Sequence, residues 1–407
     1  MTATHTPAVK QKSGPSFAEF VTVLSLMMSL TALSIDAMLP ALADIGRDLA
    51  VENANDRQLV VTMIFLGLAL GQMFFGPLSD KTGRKPAIYL GFVLYIIGSL
   101  ISFAALVFPI MLMGRFIMGL GASSARALTL ALVRDRYEGR IMARVMSFVT
   151  TIFILVPIIA PSMGQAVLLV ADWRAIFLGL IVIAIITWIW FAVRIPETLD
   201  PADRAPFSVG RIVYALGQIM KSRIALGYTV SAGLIGGAFL GYISSAQQIF
   251  QELYGQGDRF PIIFGGIAIS IGMASFSNTR LVMRYGMQPL INWSLRAITG
   301  LAVIALVVAI ISEGQPPLWF LLGYLLMSFF GVGILFGNQN AMAMEPLGHL
   351  AGIGAAVVGS VSTLIQMPLG TIIGQNYNGT VIPVILGMVV LSALCIVVTR
   401  WAEAGQE

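Results

Sequence analysis

Apolar residues in this chain do not alternate with polar ones; they come in long, nearly unbroken runs parted by short charged stretches. A helix needs about 20 such residues to cross a bilayer. Measured against that length, the sequence predicts twelve spans, over 17–39, 59–78, 87–107, 110–132, 145–170, 175–193, 224–250, 261–276, 290–311, 318–336, 352–373 and 381–399. The longest connection runs from Arg194 to Arg223; it carries charge and proline and turns amphipathic from Phe207. It parts the spans six and six. The predicted organisation is a polar tail at 1–16, a six-helix bundle at 17–194, a linker at 195–222, a second bundle of equal length at 223–400 and a tail at 401–407. Two equal halves suggest an internal repeat with a cavity between them. The loop GPLSDKTGRKP from Gly76 has a degenerate echo in SFSNTRLVMRYGMQP from Ser275, in which Asp80 falls opposite Asn278.

Composition supports the same class. Of 407 residues, 57% are hydrophobic and 11% charged, against about 25% charged in a soluble domain. The fold expected is an all-α integral membrane protein. Its net charge of +5 reflects topology, because Lys and Arg cluster at the ends of the runs and set orientation. With the N-terminus placed inside, the inner segments hold seventeen of the 24 Lys and Arg. The outer segments hold Arg47, Arg57, Arg174 and Arg259, and the spans hold Arg115, Arg126 and Arg296. Both termini are therefore expected in the cytoplasm, with no nucleic-acid partner. Residues 1–16 are polar and the first run is too long for a signal peptide, so that run is expected to stay as a helix.

Catalytic chemistry has little material. Cys395 is the one cysteine, and His5 and His349 are the only histidines, so neither a metal centre nor a nucleophilic triad is expected. A phosphate-binding G-x-x-x-x-G-K-[ST] loop is absent from the sequence. The protein is expected to be no enzyme and to carry no cofactor.

The rare charges inside the runs are the candidate machinery. Asp36 stands in the outer third of span one, roughly 25–29 Å from its inner end. An ionised acid inside a bilayer costs roughly 2.5–3.5 kcal/mol on insertion scales. It either snorkels to the interface or takes up a proton. Arg115 lies at matching depth in span four, which suggests an ion pair or a structural counter-ion. Arg126 follows on nearly the same helical face and reads as an inner-rim residue or a substrate contact. In the loop after span two, Gly76 and Gly83 permit a tight turn, and Asp80, Arg84 and Asp135 are suited to an ionic latch. Pro157 and Pro161 interrupt the hydrogen bonding of span five, while Ala160 and Gly164 allow close packing. Polar or aromatic residues away from the span ends are cavity candidates: Gln72, Phe153, Tyr242, Ser245, Gln247, Ser362 and Gln366. Each could equally bond a neighbouring helix.

These motifs carry a resemblance. G-P-L-S-D-K-x-G-R-K resembles the loop signature of the major facilitator superfamily, and LMGRFIMGLGA resembles its helix-four motif, with Met118 where many relatives have glutamine. PIIAPSMGQ resembles the helix-five antiporter motif, although Val156, Ala160 and Gln165 replace three of its glycines. With SIDAMLP, DWRAIF, PETL, YISSAQQIF and AMAMEPLGHLAG, the chain is similar to the bicyclomycin- and chloramphenicol-resistance (Bcr/CflA) exporters. The resemblance implies two pseudo-symmetric six-helix bundles working by alternating access. It implies proton binding at Asp36 tuned by Arg115, a leak-limiting helix five, Met118 near the substrate, and a monomer in a bacterial inner membrane. The function expected is a proton-coupled antiporter exporting small apolar or amphipathic compounds, as in drug efflux and antibiotic resistance. The alternative is a proton-coupled importer of a small nutrient or metabolite.

Overall fold

The computed structural model describes residues 15–404, apart from the side chains of His349 and Ala351. The expected tail at 1–16, with His5, Lys10 and Lys12, therefore lies outside the described residues but for Pro15 and Ser16. Among the described residues, twelve helices are long and apolar enough to cross a membrane. They are α1 (Phe17–Asp36), α2 (Leu59–Thr82), α3 (Arg84–Phe103), α4 (Phe108–Arg136), α5 (Gly139–Leu168), α6 (Arg174–Arg194), α7 (Arg223–Gln247), α8 (Phe260–Tyr285), α9 (Met287–Ile311), α10 (Leu318–Met344), α11 (Ala351–Gln375) and α12 (Ile382–Glu403). Each predicted span lies on one of them. Several helices outrun the apolar run, by up to about two and a half turns, because the helix continues into polar residues at the bundle surface; α8 passes 276 to Tyr285 and α12 passes 399 to Glu403.

With an even number of spans, both ends of the described chain and the 194–223 linker lie on one face of the bundle, here the terminal face. The linker holds a helix, Val209–Lys221, set off by Ser208, whose hydroxyl accepts from the Arg211 amide. On the opposite face a short helix, Leu42–Asp48, follows α1. Beyond α7 the chain winds into a π-helix, Gln248–Leu253.

The helix pairings show the repeat. In the first half α2 packs on α4, α4 on α3, α1 on α5, and α3 on α6; in the second α8 packs on α10, α10 on α9, α7 on α11, and α9 on α12. Adding six to each number of the first set gives the second. The two seams between the halves, α2 on α11 and α5 on α8, exchange under the same operation. The loops after α2 and α8 turn on equivalent glycines, Gly83 at φ +101° and Gly286 at φ +79°, a backbone region closed to most side chains. Matched on those glycines, Asp80 falls at Met283 and not at Asn278. The expected echo is corrected there: Asn278 bonds Asn338 at 2.9 and 3.1 Å.

Lipid tails offer no hydrophobic drive to join helices, so small residues must bring backbones together. Gly67 on α2 meets the Phe116 carbonyl, and Gly98 on α3 meets the Met118 amide; a Cβ at either would collide with main chain. Gly67→Ala is therefore expected to cost roughly 1–3 kcal/mol through overpacking. Gly300→Ala, where nothing lies within 4 Å, should be neutral or add up to about 1 kcal/mol of helix propensity. Thermal unfolding of the two variants in detergent checks this; equal midpoints would sink the packing argument.

Candidate transport site

Asp36 is the last residue of α1, and the chain leaves it through a 3-10 turn, Leu39–Ala41. Its side chain is 5% exposed, so it snorkels neither to the interface nor into lipid. No described residue forms an ion pair with it or donates a hydrogen bond to it. It lies within electrostatic reach of Tyr242 on α7, across the boundary between the halves.

Arg115 does not pair with Asp36, and that expectation is corrected. Its guanidinium is fully buried on α4 and donates through Nε to the Val60 carbonyl at 2.9 Å and through Nη2 to the Ser34 carbonyl at 2.7 Å. Nη1 faces the Met118 sulfur at 3.6 Å, and the ring of Phe177 lies 5.8 Å away. The reason is helix termination. The last carbonyls of a helix have no partner within it and carry partial negative charge. Ser34 supplies such a carbonyl at the end of α1, so the cation holds that end from which Asp36 projects. Tyr95 on α3 shares a 2.7 Å hydrogen bond with the Ser34 hydroxyl and secures the same turn.

Helix α5, whose sequence resembles the antiporter motif, meets this end of α1. α5 runs unbroken through Pro157 and Pro161, with Ala160 fully buried. Gly164 lies against the carbonyl of Ala37, directly after Asp36, where a Cβ would collide. Along the other seam face of α5, Gly265 and Gly272 of α8 pack on Ile158 and Ile154, beside the half-buried Phe153.

The cavity candidates divide. Tyr242 is stacked on Phe264 at 6.1 Å and set edge-on to Phe329 at 4.7 Å, and its hydroxyl has no partner among the described residues. Phe239 continues that aromatic column, 5.5 Å from both Phe329 and Phe336. The Ser245 hydroxyl is likewise buried and unpartnered. Gln366 is half-buried against Gly236. Three others are packing groups. Ser362 bonds the Thr229 and Val358 carbonyls at 3.1 and 2.8 Å. Met118 is fully buried between Gly98 and Arg115. Gln72 bonds back to Leu68 at 3.2 Å. Isolated polar residues in a span cannot be sorted this way until neighbouring carbonyls are located.

On the opposite face the halves are tied by groups that the sequence reading passed over as loop residues. Arg57 pairs with Glu252 at 2.5 Å, and Gln58 bonds Gln248. Asn55 donates to the Gln375 and Tyr377 carbonyls at 3.0 and 2.8 Å. Gln247 points into the same cluster, donating to Gln251 and Glu252 at 2.9 and 3.2 Å. The π-helical winding after α7 presents Gln248 and Glu252 together to the first half.

Three comparisons bear on this geometry. The model of the Major Facilitator Superfamily matches residues 24–370. The chain belongs to the major facilitator superfamily. Among curated relatives it is 30% identical to YdgK, an uncharacterized MFS-type transporter of Bacillus subtilis (strain 168), over 91% of each chain. It is 28% identical to a bicyclomycin resistance protein homolog of Haemophilus influenzae, over 92% of this chain and 94% of that one. It is 25% identical to multidrug resistance protein D of Escherichia coli (strain K12), over 94% and 97%. A partially occluded inward-open structure of the xylose transporter XylE from E. coli shares the fold at TM-score 0.71 and 13% identity, over 94% of this chain and 96% of that one.

The superfamily's loop signature is assembled as an ionic cluster on the terminal face. Arg84 donates to Asp80 and Ser79, each at 2.7 Å, and to Asp135 at 2.9 Å. Gly76 sits at the α2–α11 seam near Ala356. Glu197, from the PETL segment, accepts from the Arg84 and Lys85 amides at 2.8 and 3.0 Å, a carboxylate at the start of α3. Composition gave no signal for that role of Glu197, because it needs the linker to fold back on the loop. The Asp48 carboxylate accepts from the Trp173 indole of the DWRAIF segment at 2.9 Å.

The tie on the opposite face makes a testable statement about conformation. A partly exposed ion pair contributes up to about 1 kcal/mol, worth about fivefold in a population. Arg57→Ala with Glu252→Ala is expected to raise, about fivefold, the labelling rate of Ser245→Cys by a membrane-impermeant thiol reagent applied to the opposite face. Cys395 is buried and serves as its own background control. An unchanged rate would show that the pair does not hold the halves closed.

Proposed function

We propose that this major facilitator protein is a proton-coupled exporter of small apolar or amphipathic compounds, with Asp36 as the group that takes and releases the proton. The observation that carries the reading is a buried carboxyl at the boundary of the two halves with neither cation nor donor beside it. A carboxylate in that place has nothing to offset its desolvation, so the conformation with the opposite face closed favours a proton on it or requires movement that rehydrates it. Arg115 positions α1 through the Ser34 carbonyl, and Gly164 of α5 seals the exit from that turn. The similarity to a bicyclomycin resistance homolog and to multidrug resistance proteins supports efflux as the direction.

The units that move are 17–194 and 223–400, turning about the α2–α11 and α5–α8 seams, with the 195–222 segment as linker. The excess of Lys and Arg supports a cytoplasmic terminal face, and the similarity to bacterial transporters supports a bacterial inner membrane. In the cycle, substrate enters from the terminal face while Asp36 is ionised. The halves turn, and a proton from the opposite side neutralises Asp36 as substrate leaves. The neutral carrier returns, and the proton leaves on the terminal side. Each charge moved is worth about 2.3 kcal/mol per 100 mV. The chain acts as a monomer.

Asp36→Asn is expected to abolish proton exchange in energised inverted vesicles, where substrate added to wild type releases protons from the lumen. Detergent-purified variant should still elute as a folded species; proton release equal to wild type would remove Asp36 from the mechanism. Arg115→Lys is expected to shift the pH profile of transport, because one ammonium cannot span the two carbonyls that the guanidinium bridges. A profile that overlays wild type would reduce Arg115 to packing.

A further inference from the structure

Arg126 lies on α4, eleven residues after Arg115 and ten before the end of the helix. At 100° per residue it faces within about 20° of Arg115, and about 140° away from the lipid-facing Met113. The neighbours on that arc confirm the direction. Thr31 of α1 bonds the Ala122 carbonyl, and Gly119 packs on Ile64 of α2. Arg126 therefore points inward, between α1 and α2, and not into lipid. It is also about 15 Å from the terminal end of α4. Yet its side chain is exposed. An inward-facing, deep and accessible group lines a space open to water.

No ion pair or hydrogen bond to Arg126 is formed by any described residue. Four acids of the terminal face are engaged elsewhere, while Glu345, just after α10, forms no ion pair among the described residues. Asp80 and Asp135 hold Arg84, Glu19 holds Arg194 at 2.5 Å, and Glu403 accepts from Tyr228 at 2.6 Å. Glu138 stands about 18 Å along the chain, at the start of α5, and Asp36 is about 16 Å further towards the opposite face. Lysine and arginine at helix ends satisfy the topology rule. A guanidinium two-thirds of the way along a 29-residue helix, without a counter-charge, does not follow from that rule. On the second half, the half-buried rings of Phe336 and Phe239 lie 5.5 Å apart, backed by the buried Phe329 and Tyr242, and Tyr242 is within electrostatic reach of Asp36.

We infer that the vestibule selects amphipathic compounds with an aromatic body and an anionic group, and that Arg126 is the residue that receives the anion. The inference rests on the transport reading and narrows its substrate class. A guanidinium offers a planar, bidentate donor set suited to carboxylate or sulfonate. The aromatic column takes the ring. A cationic compound of the same shape meets a like charge at the same depth.

Equilibrium dialysis of purified protein in nanodiscs, with empty nanodiscs subtracted, tests this with two probes of one ring system, 1-naphthoate and 1-naphthylmethylammonium. Wild type is expected to bind the anion about tenfold more tightly than the cation, in keeping with a charge-assisted hydrogen bond. Arg126→Ala should remove that preference, Arg126→Lys should keep most of it, and Arg126→Glu should reverse it. Equal binding of both probes by wild type, no binding of the anion, or an unchanged preference in Arg126→Ala each overturns the inference. Since no gradient is applied, the result stands whether or not Asp36 couples protons.

Discussion

The structure depends on one constraint: a polar group inside the membrane must find a partner within the protein or sit where water reaches it. Arg115 satisfies it with two main-chain carbonyls, and in doing so holds the end of α1. Ser362, Gln72 and Ser360 satisfy it with carbonyls of their own or neighbouring helices. The hydroxyls of Tyr242 and Ser245 have no partner among the described residues, and Asp36, within electrostatic reach of Tyr242, has neither ion pair nor donor there. On the function proposed above, these are the groups that change partners during the cycle.

The repeat gives the boundary between the halves its form. The first and last six helices share one set of pairings, and the two seams between them exchange under the same operation. Small residues stand at both seams: Gly265 of α8 meets the Ile158 carbonyl of α5, and Gly359 of α11 meets the Gln72 side chain of α2. The ionic cluster around Arg84 ties the linker to the first half at the terminal face, and the Arg57–Glu252 tie closes the opposite face. Polar contacts at the two faces therefore differ in kind: one is internal to a half, the other crosses between halves. This asymmetry is why breaking each should have a different consequence, one for stability of a bundle and one for the balance of conformations.

Arg126 illustrates how charge is read in such a protein. Its inward arc on α4 and its exposure together suit it to line a vestibule, and neither alone would do so. Electrostatics then narrows what that vestibule accepts, because one unpaired cation in a confined space biases every molecule that enters.

What the sequence determined was everything set by length and local chemistry. Runs of about 20 apolar residues fix helices because no other isolated segment satisfies its backbone in lipid. So the twelve spans, the turn at Gly83 and the ion pairs of Arg84 with Asp80 and Asp135 were legible. The depth of Asp36 and Arg115 was legible too, since rise per residue is fixed. Their pairing was not, because equal depth says nothing about rotation or about which carbonyls a guanidinium will find. The same holds for Met118 and Ser362, which packing claimed, and for Arg57, Glu252 and Glu197, whose partners lie more than a hundred residues away. Only the tertiary structure decided these, for it alone sets which helix faces meet across the bundle.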